Sequence, residues 1–142
     1  DLLLTGHSLG AGLALLVAAA VGVARGRPVP AVVVSEPPVL DVLRRRVKVK
    51  ALPPDTALVL ADPNDPVHRA AEASGFVGRP CEWAPAGPPP PGCDTCDFRR
   101  EERTTDCIEC FLATHTLKHY LDLLKGPRPQ CESDPAGLQT RL

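Results

Sequence analysis

The stretch Leu2-Leu3-Leu4-Thr5-Gly6-His7-Ser8-Leu9-Gly10-Ala11-Gly12 connects a short apolar segment to a segment of small residues through a serine between two glycines. A strand that turns sharply into a helix at Ser8 would project the serine hydroxyl above a sheet. Gly6 and Gly10 remove Cβ atoms that would clash in such a turn. The start of the helix then presents the backbone N–H of Leu9 to a developing oxyanion.

The segments around this turn alternate between strand and helix patterns. Residues Asp1 to Thr5 predict a buried strand, and Leu9 to Ala24, almost wholly apolar or Gly, predicts a buried helix. The β-branched run Ala31 to Val34 predicts a strand, Val39 to Arg46 a short helix, and Thr56 to Ala61 a further strand. This alternation indicates the α/β class, with a parallel sheet wrapped by helices.

Composition is that of one ordinary globular domain. The chain has 142 residues, of which 44% are hydrophobic and 23% charged, with a formal net charge of −1. That balance gives no electrostatic basis for binding nucleic acid or an anionic membrane surface. The apolar helix is too short for a transmembrane segment. The chain contains no Met and opens inside a strand, so we expect the C-terminal half of a larger domain.

The second half of the chain changes character. Residues 70–110, with the run Pro88 to Pro91, indicate a Cys/Pro-rich loop insertion that is too long for an ordinary connection. Phe111 to Leu124 predicts a final helix. We therefore expect a partial α/β domain over residues 1–125, including the insertion at 70–110, followed by a weakly attached tail over residues 126–142.

A serine hydroxyl needs a base that is held in turn by an acid, and in α/β-hydrolases these follow in the order Ser, Asp or Glu, His. Asp65 follows the strand Thr56 to Ala61, where the acid is expected. Asp62 competes with it, but turn chemistry after the strand explains Asp62 better. Asp65 is therefore the predicted acid.

The base is expected on a loop or helix start after the last strand. His115 opens the predicted final helix, and His119 lies one turn later on the same face. His7 and His68 are weaker candidates, since the His7 side chain should point beneath the turn. Chain order favours His115 as the base.

Three motifs together resemble a known family. The segment Thr5 to Ala14 is similar to the turn of the class 3 (fungal-type) triacylglycerol lipases, members of the α/β-hydrolase superfamily. Asp65-Pro66-Val67 resembles that family's acid motif, and His115-x-Leu117-x-x-Tyr120-Leu121 resembles its terminal histidine helix. The resemblance implies that Ser8 is the nucleophile, with the aspartate and histidine of the later motifs as orienting acid and base.

The resemblance extends roughly from Asp1 to Leu124 and suggests two branches. A Cys-bearing stretch before Thr-His-Thr is similar to the autophagic vacuolar phospholipase branch, and the Gly-His-Ser-Leu-Gly-Ala-Gly turn is also typical of diacylglycerol lipases. Two positions depart from the family: His68 stands where Pro is usual, and Ser35 to Val39 replaces the usual Pro-Arg-Val-Gly segment. The family's lid and second oxyanion donor precede the turn, outside this sequence.

The cysteines allow two interpretations. Cys93-x-x-Cys96 and Cys107-x-x-Cys110 have the spacing of a four-thiolate zinc site. Lipases of this class often enter oxidising compartments, where the same residues would form disulfides. Cys81 and Cys131 are left over in the zinc model, whereas all six cysteines can pair as disulfides. We favour disulfides, although six cysteines allow 15 connectivities.

These observations predict a carboxylic-ester hydrolase that cleaves acyl esters of glycerolipids or phospholipids and uses no cofactor. Its partner would be a lipid or a lipid–water interface, on a secretory or vacuolar route with possible membrane association. Two alternatives stay open: an inactive fragment, and a zinc-binding interaction module on a hydrolase remnant.

Overall fold

A computed structural model describes residues 2–50, 52–53, 56–85, 87–96 and 105–131. Within these residues the strands form one sheet in chain order: β1 (Leu4–His7), β2 (Ala31–Val34), β3 (Ala57–Ala61), β4 (Arg79–Glu82) and β5 (Gln130–Cys131). The first four strands run parallel, and β5 joins β4 in the antiparallel direction. The α/β class with a mostly parallel sheet is thereby confirmed.

The helices fill the connections between strands, as parallel pairing requires. They are α1 (Leu9–Arg25), α2 (Leu40–Val42), α3 (Pro66–Ser74), α4 (Thr105–Thr114) and α5 (Leu117–Leu123). A π-helical turn, Leu43–Val47, continues α2. None of the helices that the structure describes is both long enough and apolar enough to cross a bilayer.

The core lies between α1 and the central strands. The inward residues of β2 and β3 are small or β-branched, so the Ala- and Leu-rich face of α1 can pack closely against them. The fully or almost fully buried members are Ala11, Leu15, Ala18, Ala31, Val33, Leu43, Ala57 and Val59. This packing fixes the start of α1, and with it Ser8, relative to the carboxyl ends of the parallel strands.

Several element boundaries differ from the sequence predictions. The first strand is Leu4–His7, and the segment Val39 to Arg46 is a short α-helix followed by the π-helical turn. Part of the region expected to be loop-rich is regular, since it contains the end of α3 and the strand β4. Strand β4 was missed because Arg79-Pro80-Cys81-Glu82 lacks the β-branched run that marks β2 and β3.

The predicted final helix is two helices. Helix α4 ends at Thr114 and α5 begins at Leu117, with His115 in the break between them. Strand β5 lies in the segment interpreted as a tail, and the rest of that tail, residues 132–142, lies outside the described residues. His115 therefore follows the end of one helix and precedes the cap of the next.

Disulfides join the second half of the chain, as the sequence analysis favoured. Cys81 is bonded to Cys131 across β4 and β5. Two nested disulfides, Cys93–Cys110 and Cys96–Cys107, connect the Pro-rich loop to α4. The zinc alternative would need the latter four sulfurs as thiolates, whereas here they are bonded to one another in pairs.

Candidate active site

The strand-to-helix turn has a strained backbone at Ser8. Its φ of 56° and ψ of −124° fall where residues other than Gly are rare, and such strain is typical of functional sites. The Ser8 N–H donates to the Val34 carbonyl over 3.1 Å, and the Ser8 carbonyl accepts from the N–H groups of Ala11 and Gly12. These bonds hold the hydroxyl above the carboxyl ends of β1 and β2.

Of the two glycines that flank Ser8, only Gly6 is sterically required. A Cβ at Gly6 would overlap the Gly10 carbonyl, so this position needs Gly. A Cβ at Gly10 would meet nothing within 4 Å, so the expected steric reason for that glycine is wrong. Gly12 is the second constrained position, because a Cβ there would lie 2.9 Å from the Val39 side chain.

His115 bonds to Ser8 from the break between α4 and α5. Its Nε2 lies 2.7 Å from Ser8 Oγ, and the residue is only 3% exposed. The His115 N–H donates to the Phe111 carbonyl, and the two rings lie 4.4 Å apart. His7 Nε2 lies 2.9 Å from the carbonyl oxygen of His115. The backbone of His115 is therefore held from both helix α4 and strand β1, while the rings of His7 and Phe111 contact its imidazole.

Asp65 completes the series on the other side of the imidazole. His115 Nδ1 lies 2.9 Å from Asp65 Oδ2 and 3.0 Å from Oδ1. Asp65 is fully buried and also caps α3, because its Oδ1 accepts from the Val67 N–H over 2.8 Å. Its Oδ2 accepts from the hydroxyls of Ser35 and Tyr120, each over 2.6 Å.

These donors keep Asp65 ionised. Burial alone would raise the pKa of Asp65, because it removes the carboxylate from water. His115 opposes this effect through its hydrogen bond and its charge, and the hydroxyls of Ser35 and Tyr120 add two further hydrogen bonds. Together these interactions outweigh burial and hold the pKa of Asp65 below its usual value. A buried negative charge beside Nδ1 fixes the tautomer in which Nε2 can accept a proton from Ser8.

The two competing candidates, Asp62 and His119, bond to each other. His119 Nε2 lies 2.7 Å from Asp62 Oδ2, while Asp62 Oδ1 accepts from the Asn64 N–H over 2.8 Å. The second bond is the turn chemistry that the sequence predicted for Asp62. The Asp62 N–H donates to the Tyr120 hydroxyl over 3.2 Å, which connects this pair to the acid through one side chain.

His68, the remaining histidine candidate, lies on α3 and is 1% exposed. Its Nε2 is 2.7 Å from Glu82 Oε1, and its ring stacks on Phe76. The hydrogen bond from His68 holds the pKa of Glu82 below its usual value. This pair connects α3 to β4, and His68 makes no hydrogen bond to Ser8 among the contacts of the described residues.

Ser35 and Tyr120 contact the acid but were not predicted as site residues. Ser35 follows β2 directly, at the carboxyl edge where side chains of parallel strands converge on a site. This position after a parallel strand is the sequence signal that indicates Ser35. Tyr120 belongs to the histidine motif that begins at His115, but the resemblance implied no role for it.

Glu36 is a second buried carboxyl next to this cluster. Its Oε1 accepts from the Val77 N–H over 3.1 Å, whereas its Oε2 has no hydrogen-bond partner among the described residues. Burial raises the pKa of Glu36 from 4.5 to about 8, although the backbone N–H groups of Val77 and Gly78 partly oppose the increase. Glu36 is therefore largely neutral at pH 7, unlike Asp65.

The fold and the site together define a class of protein. A serine at a strand-to-helix turn, bonded through a histidine to a buried aspartate, is the arrangement of serine hydrolases on an α/β sheet. The chain order Ser8, Asp65, His115 is the order of the α/β-hydrolases.

Comparison with known families identifies the family of α/β-hydrolases to which the chain belongs. The family model described as lipase (class 3) matches residues 1–72, half of the chain, which therefore belongs to the class 3 lipase family. The match includes Ser8 and Asp65 and ends before His115, whose place in the site rests on the geometry above. No curated protein and no solved structure matches the chain.

Proposed function

We propose that this protein is a carboxylic-ester hydrolase that cleaves acyl esters of glycerolipids or phospholipids. The observation that carries the proposal is the continuous series of hydrogen bonds from Ser8 Oγ through His115 to Asp65, with distances of 2.7 and 2.9 Å. Membership of the class 3 lipase family supports the same reaction class.

The proposed reaction begins when Ser8 Oγ attacks the ester carbonyl carbon while His115 Nε2 takes the hydroxyl proton. The carbonyl oxygen becomes an oxyanion, which the Leu9 N–H at the start of α1 would stabilise. The C–O bond to the leaving alcohol then breaks as His115 returns the proton to that alcohol. Asp65 holds Nδ1 throughout and stabilises the transient imidazolium.

In the second half of the reaction, water replaces Ser8 as the nucleophile and Ser8 becomes the leaving group. Water attacks the acyl group on Ser8, and His115 Nε2 accepts a proton from that water. The tetrahedral species collapses, the bond from the acyl carbon to Ser8 Oγ breaks, and the proton passes to Ser8. The products are a fatty acid and the alcohol released earlier.

Apolar surface beside Ser8 supports a lipid substrate. Leu9 is 73% exposed and Leu13, one turn later on α1, is 56% exposed. Two leucines on one helix face next to the nucleophile can contact an acyl chain. We propose acylglycerols and phospholipids as the substrate classes, with the autophagic phospholipase branch as the prediction to test within the second class.

A fluorophosphonate probe tests the nucleophile. It should label the purified protein, and Ser8→Ala should remove both labelling and ester hydrolysis while the far-UV circular dichroism stays unchanged. Ser74→Ala is the matched control, because Ser74 is an exposed serine that bonds to the Ala70 carbonyl on α3. Labelling that survives Ser8→Ala would contradict the proposal.

Substrate class is tested separately. Fatty-acid release is measured from emulsified triacylglycerol, from diacylglycerol and from phosphatidylcholine vesicles, each with wild type and Ser8→Ala. Release that depends on Ser8 from at least one lipid supports the proposal and ranks the classes. Hydrolysis confined to short water-soluble esters would contradict the lipid assignment and leave a general esterase.

A further inference from the structure

Ser35 is a second serine in contact with His115. It follows β2, is 0% exposed, and has a φ of 52°, so its backbone lies in the left-handed region. Its N–H donates to the Leu60 carbonyl over 2.9 Å. A residue other than Gly persists in this conformation only where its surroundings stabilise it, which is common at functional sites.

The hydroxyl of Ser35 meets both partners of the acid–base pair. Ser35 Oγ lies 2.6 Å from Asp65 Oδ2 and 3.0 Å from His115 Nδ1. A hydroxyl has one proton and two lone pairs, whereas an ionised carboxylate only accepts. The Ser35 proton therefore points at Asp65, and a lone pair faces the Nδ1–H of His115.

The two serines occupy opposite sides of the imidazole. Ser8 is partly exposed and contacts Nε2, whereas Ser35 is fully buried and contacts Nδ1. An ester could reach Ser8 but has no access to a fully buried Ser35. Ser35 is thus excluded as the nucleophile, although it completes a Ser–Asp–His set of its own.

We propose that Ser35 is a positioning residue: its hydroxyl holds the Asp65 carboxylate against Nδ1 of His115 and supplies a second acceptor to the Nδ1–H. The proposal rests on the hydrolase function proposed above. Tyr120 contacts the same Oδ2 from α5, whereas Ser35 bridges the acid and the base. Loss of the bridge should lower turnover without changing substrate binding.

Two substitutions at one position separate the hydroxyl from the backbone. Ser35→Ala and Ser35→Gly both remove the hydroxyl, but only Ala must retain a left-handed φ that Gly adopts freely. We expect Ser35→Gly to be the more stable variant in thermal unfolding. We also expect both variants to lose kcat by the same factor, about 10-fold, with KM unchanged.

Proton NMR supplies a second measurement on the same variants. The Nδ1–H signal of His115 should shift in both, because the proton loses one of its acceptors. Thr114→Val is the matched control: Thr114 is also fully buried and adjoins His115, but its hydroxyl donates to the Cys110 carbonyl. The control should keep kcat and the Nδ1–H signal of wild type.

The outcomes are distinct. Unchanged kcat and an unshifted Nδ1–H signal in both Ser35 variants would overturn the proposal while hydrolysis by wild type remained. A kcat that follows thermal stability, with Ser35→Gly close to wild type, would overturn it in favour of a purely structural role. Wild-type protein without hydrolysis that depends on Ser8 would instead contradict the proposed function, and the positioning role with it.

Discussion

Replacing Glu36 by Gln should change how the stability of the protein depends on pH. Glu36 is 0% exposed, and burial raises its pKa from 4.5 to about 8. As pH rises from 4.5 to 8, Glu36 ionises in the unfolded chain but stays protonated in the folded one. The unfolded state then binds fewer protons, so the free energy of unfolding falls over this window and is flat outside it.

The magnitude follows from the two pKa values. Each unit of pKa difference corresponds to 1.36 kcal/mol, so Glu36 should cost wild type about 3 kcal/mol between pH 5 and pH 8. The Gln variant has no titrating group at this position and should lack that loss. The amide oxygen of Gln can still accept from the Val77 N–H. Its NH₂ group takes the place of Oε2, which has no hydrogen-bond partner among the described residues. This unpaired NH₂ group should lower the free energy of unfolding of the variant by about 1 to 3 kcal/mol, and by the same amount at both pH values.

Urea unfolding at pH 5 and pH 8 measures the effect. The quantity to compare is the change in the free energy of unfolding between the two pH values, because the constant offset cancels. Glu72→Gln is the control, since it removes a carboxyl from the exposed surface of α3 and should give the wild-type pH dependence. Parallel pH dependence in wild type and Glu36→Gln would refute the argument that Glu36 is protonated in the folded protein.

Three further experiments test the site and its support. Asp65→Asn should lower kcat by about 10⁴-fold, because an amide no longer fixes the tautomer of the base. Asp62→Asn should lower kcat less than about 10-fold. Steady-state kinetics that reverse this ranking would show that the acid is misassigned. Tyr120→Phe should cost about 1 to 3 kcal/mol in urea unfolding, since it leaves the buried Asp62 N–H without its acceptor; an unchanged midpoint would contradict this. Replacing Cys93 and Cys110 together by Ser should lower the free energy of unfolding by up to about 3 kcal/mol, as expected for a disulfide that closes a loop with a sequence separation of 17. Equal thermal unfolding of variant and wild type would show that the bond does not stabilise the fold.

Local patterns predicted the parts of the fold with strong signals. The β-branched run Ala31 to Val34 is β2 with the same boundaries, and the helix after Ser8 extends only one residue beyond the prediction. Strand β4 gave no such signal, because its residues are defined as strand by pairing with β3 rather than by propensity. The break at His115 was missed, although Thr116 is a typical capping residue and its side chain accepts from the His119 N–H at the start of α5.

Chain order is the part of the site that the sequence constrains most strongly. Ser8, Asp65 and His115 were named from a motif and an order, and the structure brings their side chains within hydrogen-bond distance. Whether they carry out catalysis remains a prediction. Ser35 was not predicted: its position after a strand places it at the correct edge of the sheet, but its role depends on a contact 30 residues away in sequence.

The carboxylate of Asp65 is a saturated acceptor. An ionised carboxylate offers about four lone-pair sites. Four donors occupy them: the side chains of Ser35 after β2, of His115 between α4 and α5 and of Tyr120 on α5, and the backbone N–H of Val67 on α3. No site is left for a water molecule to compete with the imidazole or to carry a proton to the acid. The four donors are also interdependent: a change at any one of them leaves a buried negative charge under-solvated, and the other three must then share it. Variation at Ser35, His115 and Tyr120 should therefore occur in concert among related sequences, even though only His115 among these three side chains would ever exchange a proton with substrate.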